Sequence, residues 1–131
     1  MQETNTNWPY DQSVDINAYY GFVYLITHRA SGRMYVGRKY LTLKRGKKRL
    51  PSKWQAYWGS CKELTALIEA EGEEAIERRI LTWCRTRQDI NYEEMAEQVR
   101  REVLTALLPD GSRAYFNGNI LNRFYAKRSV A

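Results

Sequence analysis

Gly21-Phe22-Val23-Tyr24-Leu25-Ile26, a short turn, and then Met34-Tyr35-Val36-Gly37-Arg38-Lys39 form the stretch that decides the fold. Both runs are rich in β-branched and aromatic residues, the composition of strands. Ala30-Ser31-Gly32-Arg33 between them carries turn residues, so the pair reads as a β-hairpin with strands over 21–27 and 33–38. Tyr24 and Tyr35 stand one on each strand at an odd spacing. Reversal at the turn can still bring both rings to one face, because the turn sets the register. Gly37 admits close backbone approach, and Arg38 and Lys39 follow it directly. Hydroxyls, bare backbone and cations are what a phosphate-handling surface needs. A structural hairpin whose tyrosines pack a core is the plainer reading of the same residues.

Charge extends that reading outward. The net charge is +6, yet Ile16 to Lys62 holds no Asp or Glu at all. Its cations include Arg29, Arg33, Arg38, Lys39, Lys53 and the dense run Lys44-Arg45-Gly46-Lys47-Lys48-Arg49. Such a run repels itself unless it is solvated or faces a polyanion. Tyr40, Trp54, Tyr57 and Trp58 flank the charges, and cations beside stackable rings favour nucleic acid. Trp54, Tyr57 and Trp58 also suit a core or scaffold. A membrane is disfavoured, because there is no amphipathic anchor and no apolar run near the roughly 18 residues of a span.

The chain has 131 residues, 44% of them hydrophobic, which suits one compact domain over 1–131. Its core is expected at about 20–120, with an irregular arm over 1–17 that Trp8, Pro9 and Tyr10 pin to the body. Residues 39–51 read as a basic loop ended by Pro51. Ser52 is expected to cap a short helix through Trp58, and Gly59-Ser60 break it. A longer helix follows from about Cys61 to Ala70, with Leu64, Leu67 and Ile68 on its apolar face and Gly72 as its stop. Residues 75–84 read as a third strand. A helix from about Asn91 to Leu107 is expected to bury Met95, Val99, Val103 and Ala106 or Leu107. Pro109-Asp110-Gly111 is a turn, and Arg123, Lys127 and Arg128 give a basic end. Cys61 and Cys84 lack metal-ligand spacing and read as reduced, near-core thiols. The polar N-terminus lacks the order of a secretory leader, which points to the cytoplasm.

The paired segments Phe22-Val23-Tyr24 and Tyr35-Val36-Gly37 resemble the two signature motifs of the GIY-YIG nuclease family, with Phe22 in place of the first glycine. The segment from Lys53 to Ser60, followed by Lys62-Glu63-Leu64, resembles phage-encoded members related to homing endonucleases. Glu94 and Tyr115-Phe116-Asn117 resemble the family's helix glutamate and terminal asparagine. The resemblance implies an α/β fold with a small three-stranded antiparallel sheet flanked by helices. It also implies metal-dependent DNA cleavage, with Tyr24 as base, Tyr35 holding water or phosphate, and Glu94 as ligand of Mg²⁺ or Mn²⁺. Arg45 is the implied phosphate clamp, with Arg38 as the alternative. Asn117 is the implied terminal amide, and the host setting is a phage-infected bacterium. No separate DNA-binding module is visible.

The chemistry has its own logic. Phosphodiester hydrolysis needs an activated water, neutralised charge on the phosphorane-like state, and help for the leaving oxygen. One hard cation held by a single carboxylate, phosphate oxygens and waters can supply much of the last two. Glu94 sits at the border of the expected buried stripe, while Glu93 turns outward and Glu97 lies one turn on. A tyrosine base needs nearby positive charge, since a free phenol ionises near pH 10. A planar guanidinium suits phosphate better than an ammonium does. Arg38, Lys39, Lys44, Lys47, Lys48, Arg49 and Lys53 would supply the nucleic-acid surface. Two further readings keep that basic face without catalysis: a nucleic-acid-binding module, or a protein that meets an acidic partner.

Overall fold

A computed structural model describes residues 8–126. Its centre is β1 (Gly21–His28), which is buried at almost every position because neighbours cover both its edges and both its faces. On one edge it pairs antiparallel with β2 (Met34–Tyr40), on the other with β5 (Ile76–Cys84), giving the three-stranded order β2-β1-β5. Two strands between them in sequence, β3 (Thr42–Arg45) and β4 (Lys48–Pro51), form a separate hairpin. The resulting mixed α/β architecture is the one that the motif resemblance implies.

Alternation along β1 sorts the core into two layers. Phe22, Tyr24 and Ile26 point into an aromatic cluster with Trp8, Trp54, Leu64 and Phe116. Val23 and Leu25 point the other way, onto Val36, Ile90, Val103 and Ile120. The first layer is closed by α1 (Lys62–Glu71), which buries Leu64 and stops at Gly72. The second is closed by α2 (Arg87–Arg100), which buries Ile90. Trp8 anchors the N-terminal arm: its ring packs edge-on against Phe22, and its Nε1 donates to the Trp54 carbonyl at 2.9 Å. Residues 1–7 of the arm, with Lys127 and Arg128 of the basic end, lie outside the described residues. Cys61 and Cys84 are both free thiols, and burial pushes the Cys84 thiol up to about 11.

Three expectations need correction. The segment 39–51 is not a loop: β2 runs on to Tyr40, and the basic run is folded as the β3–β4 hairpin. Gly46, with φ +62°, supplies the positive φ that a two-residue hairpin turn requires. Segment 52–58 holds only a single 3₁₀ turn at Trp54–Ala56, and Ser52 does not cap it. The Ser52 hydroxyl donates to the Tyr40 carbonyl at 2.6 Å instead, tying the hairpin base to the sheet. Finally, α2 begins earlier and ends earlier than the apolar spacing predicts. Thr86 caps it by accepting the Asp89 N–H at 3.0 Å, and it stops at Arg100; Val99 lies on its exposed side, and beyond the helix Val103 is buried while Leu107 is exposed.

Arg78 explains why a charged residue stands inside a strand. Its guanidinium lies 3.7 Å from the Trp58 ring centre and donates to the carbonyls of Gln55 and Tyr57. Burial lowers its pKa to about 10. It bolts the 54–58 segment onto the sheet, and that segment forms one wall of the cleft described next.

Candidate active site

Register resolves the odd spacing of the two tyrosines. Tyr24 lies opposite Gly37, and Tyr35 is two residues along β2 from Gly37, so both rings share one face. Their ring centres are 6.3 Å apart. Gly37 is required by the neighbour opposite: a Cβ there would overlap the Tyr24 hydroxyl and ring. The bare backbone thus makes room for a phenol rather than for a turn.

Because β2 is an edge strand, residues from both of its faces can reach one opening. A cleft of about 360 Å³ is lined by Tyr24, Tyr35, Arg38, Lys39, Tyr57 and Glu94, with Leu43 of the hairpin beside them. Arg38 comes from the opposite face of β2 and meets Glu94 of α2 at 2.5 Å. Tyr40 steadies that pair: its hydroxyl accepts from Arg38 Nε at 3.3 Å and donates to Asn91 Oδ1 at 3.3 Å. A second, smaller groove continues past Tyr35, Arg38 and Glu94 to Gln98, Asn117 and Asn122.

Asn117 closes the edge of β2 like a substitute strand. Its Oδ1 accepts the Val36 N–H at 3.0 Å and its Nδ2 donates to the Val36 carbonyl at 2.8 Å. Gln98 Nε2 donates to that same carbonyl at 3.3 Å. Backbone bonds between Met34 and both Ala114 and Phe116 bring the tail to this edge. An edge strand's unpaired groups are thereby satisfied up to the point where the cleft begins.

Electrostatics divides the cleft. Burial raises the Tyr24 phenol well above its ordinary range, and Tyr57, Tyr35 and Glu94 push it the same way. Burial likewise raises Tyr35, whose hydroxyl lies 3.4 Å from Ser60 Oγ. Burial also raises the Glu94 carboxyl, although Arg38 opposes it. Burial lowers Lys39, whose Nζ lies 4.3 Å from the Tyr57 ring centre. The free cleft therefore holds neutral phenols beside one carboxylate–guanidinium pair. In the free protein burial is the largest influence on Tyr24, and it acts against ionisation.

The remaining sequence candidates lie apart from this cleft lining or do other work. Lys44, Lys47 and Lys48 are exposed on the hairpin, and Lys53 is exposed just after it. Arg49 donates to the Thr42 hydroxyl at 2.8 Å and stacks on Tyr20, so it serves the hairpin base. The backbone of Arg45 pairs with Lys48 at the hairpin end, and its side chain lies outside the described residues. Glu97 is engaged by Arg100 and Arg101, whereas Glu94 faces the cleft. Glu93 lies on the side toward Cys84, whose thiol it helps raise. Tyr57, Tyr40 and Ser60 were not singled out by sequence as site residues. Tyr40 had one signal, its position two residues beyond Arg38 on the same strand face.

The family described as “Putative endonuclease segE, GIY-YIG domain” matches residues 4–120. The chain belongs to the GIY-YIG nuclease family. Among curated proteins and solved structures, nothing matches it significantly. Family membership makes nucleic acid the substrate class and hydrolysis the reaction class of this domain type. Phe22, where the GIY motif has glycine, fills the aromatic layer beside Trp8 and Trp54. That departure costs the cleft nothing visible, because Phe22 and Tyr24 share the layer and only Tyr24 lines the opening. No helix among the described residues is long and apolar enough to cross a membrane.

Proposed function

We propose that this GIY-YIG domain is a metal-dependent DNA endonuclease whose working cleft is the opening at the edge of β2. One observation carries the reading. Tyr24, Tyr35, Arg38 and Glu94, from two strands and a distant helix, converge on one cleft, with Asn117 in the groove that continues it. Glu94 would hold Mg²⁺ or Mn²⁺. No group of three or more His, Cys, Asp or Glu side chains stands together among the described residues, and a lone carboxylate suits a cation that takes its other ligands from phosphate and water. Such a cation, when bound, would stabilise charge on the phosphate and on the leaving oxygen.

The side chains divide the remaining tasks. Arg38, half-exposed in its ion pair, offers a planar guanidinium to phosphate oxygens once the substrate's negative charge competes with Glu94. Tyr24 donates its own proton to the Tyr57 hydroxyl at 3.4 Å, which leaves its oxygen lone pairs turned to accept from a water. In the free protein it is a neutral orienting group; it can accept a proton from water only after giving up its own, which requires a loaded site that stabilises the Tyr24 phenolate. Tyr35 and Ser60 present hydroxyls that can hold the phosphate. Asn117 is a positioning residue: it fixes Val36, and so the strand that carries Tyr35, Gly37 and Arg38. DNA is the favoured nucleic acid, since the basic run can follow a duplex backbone.

The Arg38–Glu94 pair and the raised Tyr24 pKa favour a second reading, a binding module that uses the same basic face without cleaving. The test is incubation of purified protein with supercoiled plasmid in Mg²⁺, Mn²⁺ or chelator. Metal-dependent conversion to nicked or linear DNA supports the nuclease. Salt-sensitive binding with no cleavage under any condition supports the binder.

A further inference from the structure

The β3–β4 hairpin has an odd surface for a solvated basic element. Leu43 and Leu50 lie directly opposite each other across it and are 41% and 45% exposed. Sharing one face, they form an apolar pair on a ribbon that also exposes Lys44, Lys47, Lys48 and Arg49. Leu43 also lines the cleft beside Tyr35 and Glu94, so this face turns toward the site. A two-stranded hairpin is marginal alone in water and has little reason to display two leucines there. Its base is nevertheless firmly mounted. Leu41 and Ser52 are buried beneath it, Ser52 N–H donates to the Leu41 carbonyl at 2.8 Å, and Arg49 stacks on Tyr20 at 4.8 Å. A ribbon anchored at its base therefore extends from the mouth of the cleft, with the two leucines toward the base and the cations Lys47 and Lys48 toward its tip.

We infer that this hairpin is a wedge for double-helical DNA: it enters the minor groove beside the scissile phosphate, and Leu43 and Leu50 partly unstack a base step there. The inference rests on the nuclease reading of the cleft and adds to it the form of the substrate. Charge selects the occupant, because Thr42 to Pro51 contains no acid, and Lys44, Lys47 and Lys48 are free to meet phosphates on both groove walls. The apolar pair selects the contact: leucine inserted between base steps from the minor groove opens the stack and bends the duplex. The ribbon has no Asn or Gln to read adenine edges in the major groove, and Arg49 is spent on Thr42 and Tyr20 rather than offered to guanine. The bend would press the phosphate next to the opened step into the cleft, so cleavage would follow the flexible pyrimidine–purine steps rather than a long sequence.

The experiment uses the full chain in chelator, so that nothing is cut. The probe is a short duplex with a donor dye and an acceptor dye at its ends and a fluorescent adenine analogue at a central TA step. Wild-type protein raises energy transfer and brightens the analogue. At saturating protein, Leu43→Ser/Leu50→Ser loses both signals, and Leu43→Met/Leu50→Met keeps them. Lys47→Gln/Lys48→Gln instead weakens binding about tenfold or more and lowers the salt slope by about two. Unchanged energy transfer on binding, or equal signals from the serine variant, overturns the wedge. A leucine-dependent dimer in sedimentation, with duplex signals unaffected by the serine changes, assigns the apolar pair to a second copy and also overturns it. The two proposals fail separately. Plasmid cleavage without bending removes the wedge alone, and bending without cleavage removes the nuclease alone.

Discussion

The cleft and the hairpin that overhangs it are built on opposite principles. In the cleft, the core fixes Tyr24, which is 1% exposed, and Asn117, which is held by two hydrogen bonds to Val36, while Arg38 is held by its ion pair with Glu94. On the hairpin, Lys44, Lys47 and Lys48 are exposed and the backbone ladder does the holding. Chemistry needs atoms placed to within a fraction of an ångström, whereas attraction to a polyanion needs only charge near its path. Substitutions at the core-held Gly37 and Asn117 should therefore damage stability and catalysis together, while those of the exposed hairpin lysines should damage binding alone.

The largest effect on that comparison should come from Asn117→Ala. It leaves the buried Val36 N–H without its partner and removes one of two donors to the carbonyl, costing about 2–4 kcal/mol. Thermal or urea unfolding would measure this, and cleavage should fall with it. A change under about 0.5 kcal/mol would show that the β2 edge does not depend on this amide.

Gly37→Ala comes next. The added methyl must displace the Tyr24 ring, an overpacking cost of about 1–3 kcal/mol. Moving the phenol by an ångström should also slow cleavage by about a hundredfold. If stability falls and the cleavage rate of the folded fraction does not, the position of Tyr24 is not critical to the reaction.

On the hairpin, Lys47→Gln/Lys48→Gln should leave stability within about 0.5 kcal/mol, because neither side chain is buried. Its effect should be a weaker, less salt-dependent affinity for unrelated DNA sequences, measured by titration at several salt concentrations. A large loss of stability there would erase the contrast between the two regions.

The subtlest test is in pH. Burial raises the Glu94 carboxyl above its ordinary 4.5 in the folded protein, with Arg38 only partly opposing. A carboxyl with a raised folded pKa takes up its proton on acidification before its unfolded counterpart does. The charged form thus costs the fold some stability above that folded pKa, and the cost is relieved as pH falls through it. In the metal-free protein the Glu94 carboxyl should accordingly titrate above 4.5, read from its side-chain carbonyl shift by NMR, and a carboxyl that titrates at or below 4.5 would contradict the burial. Glu94→Gln at neutral pH should shift stability by no more than about 1 kcal/mol, since the Arg38 partner is 41% exposed.

The same contrast decides what the sequence made legible. The β1–β2 hairpin and the strand at 76–84 were readable because buried strands need apolar runs and turns need Gly and Ser. The shared face of Tyr24 and Tyr35 needed only the register. The β3–β4 hairpin was hidden because its charge run drowned a weak alternation. Leu43 and Leu50, placed symmetrically about Gly46-Lys47, were the surviving trace. The true start of α2 was likewise marked by Thr86 and Asp89, but the first turn carries Arg87 and Gln88 instead of an apolar stripe. Tyr57 and Ser60 could not be placed by local pattern, since the 54–58 segment reaches the cleft through Arg78, a tertiary contact with no sequence period.

Cutting by the cleft and binding by the basic surface separate in one paired measurement. Plasmid cleavage in Mg²⁺ and DNA affinity in chelator are read on the same preparations of wild type and Glu94→Ala. Wild type should cleave in a metal-dependent way, and the variant should lose at least about a hundredfold in cleavage while its affinity stays within about threefold of wild type. Undiminished cleavage by Glu94→Ala, or cleavage and affinity lost in equal measure, would contradict that separation.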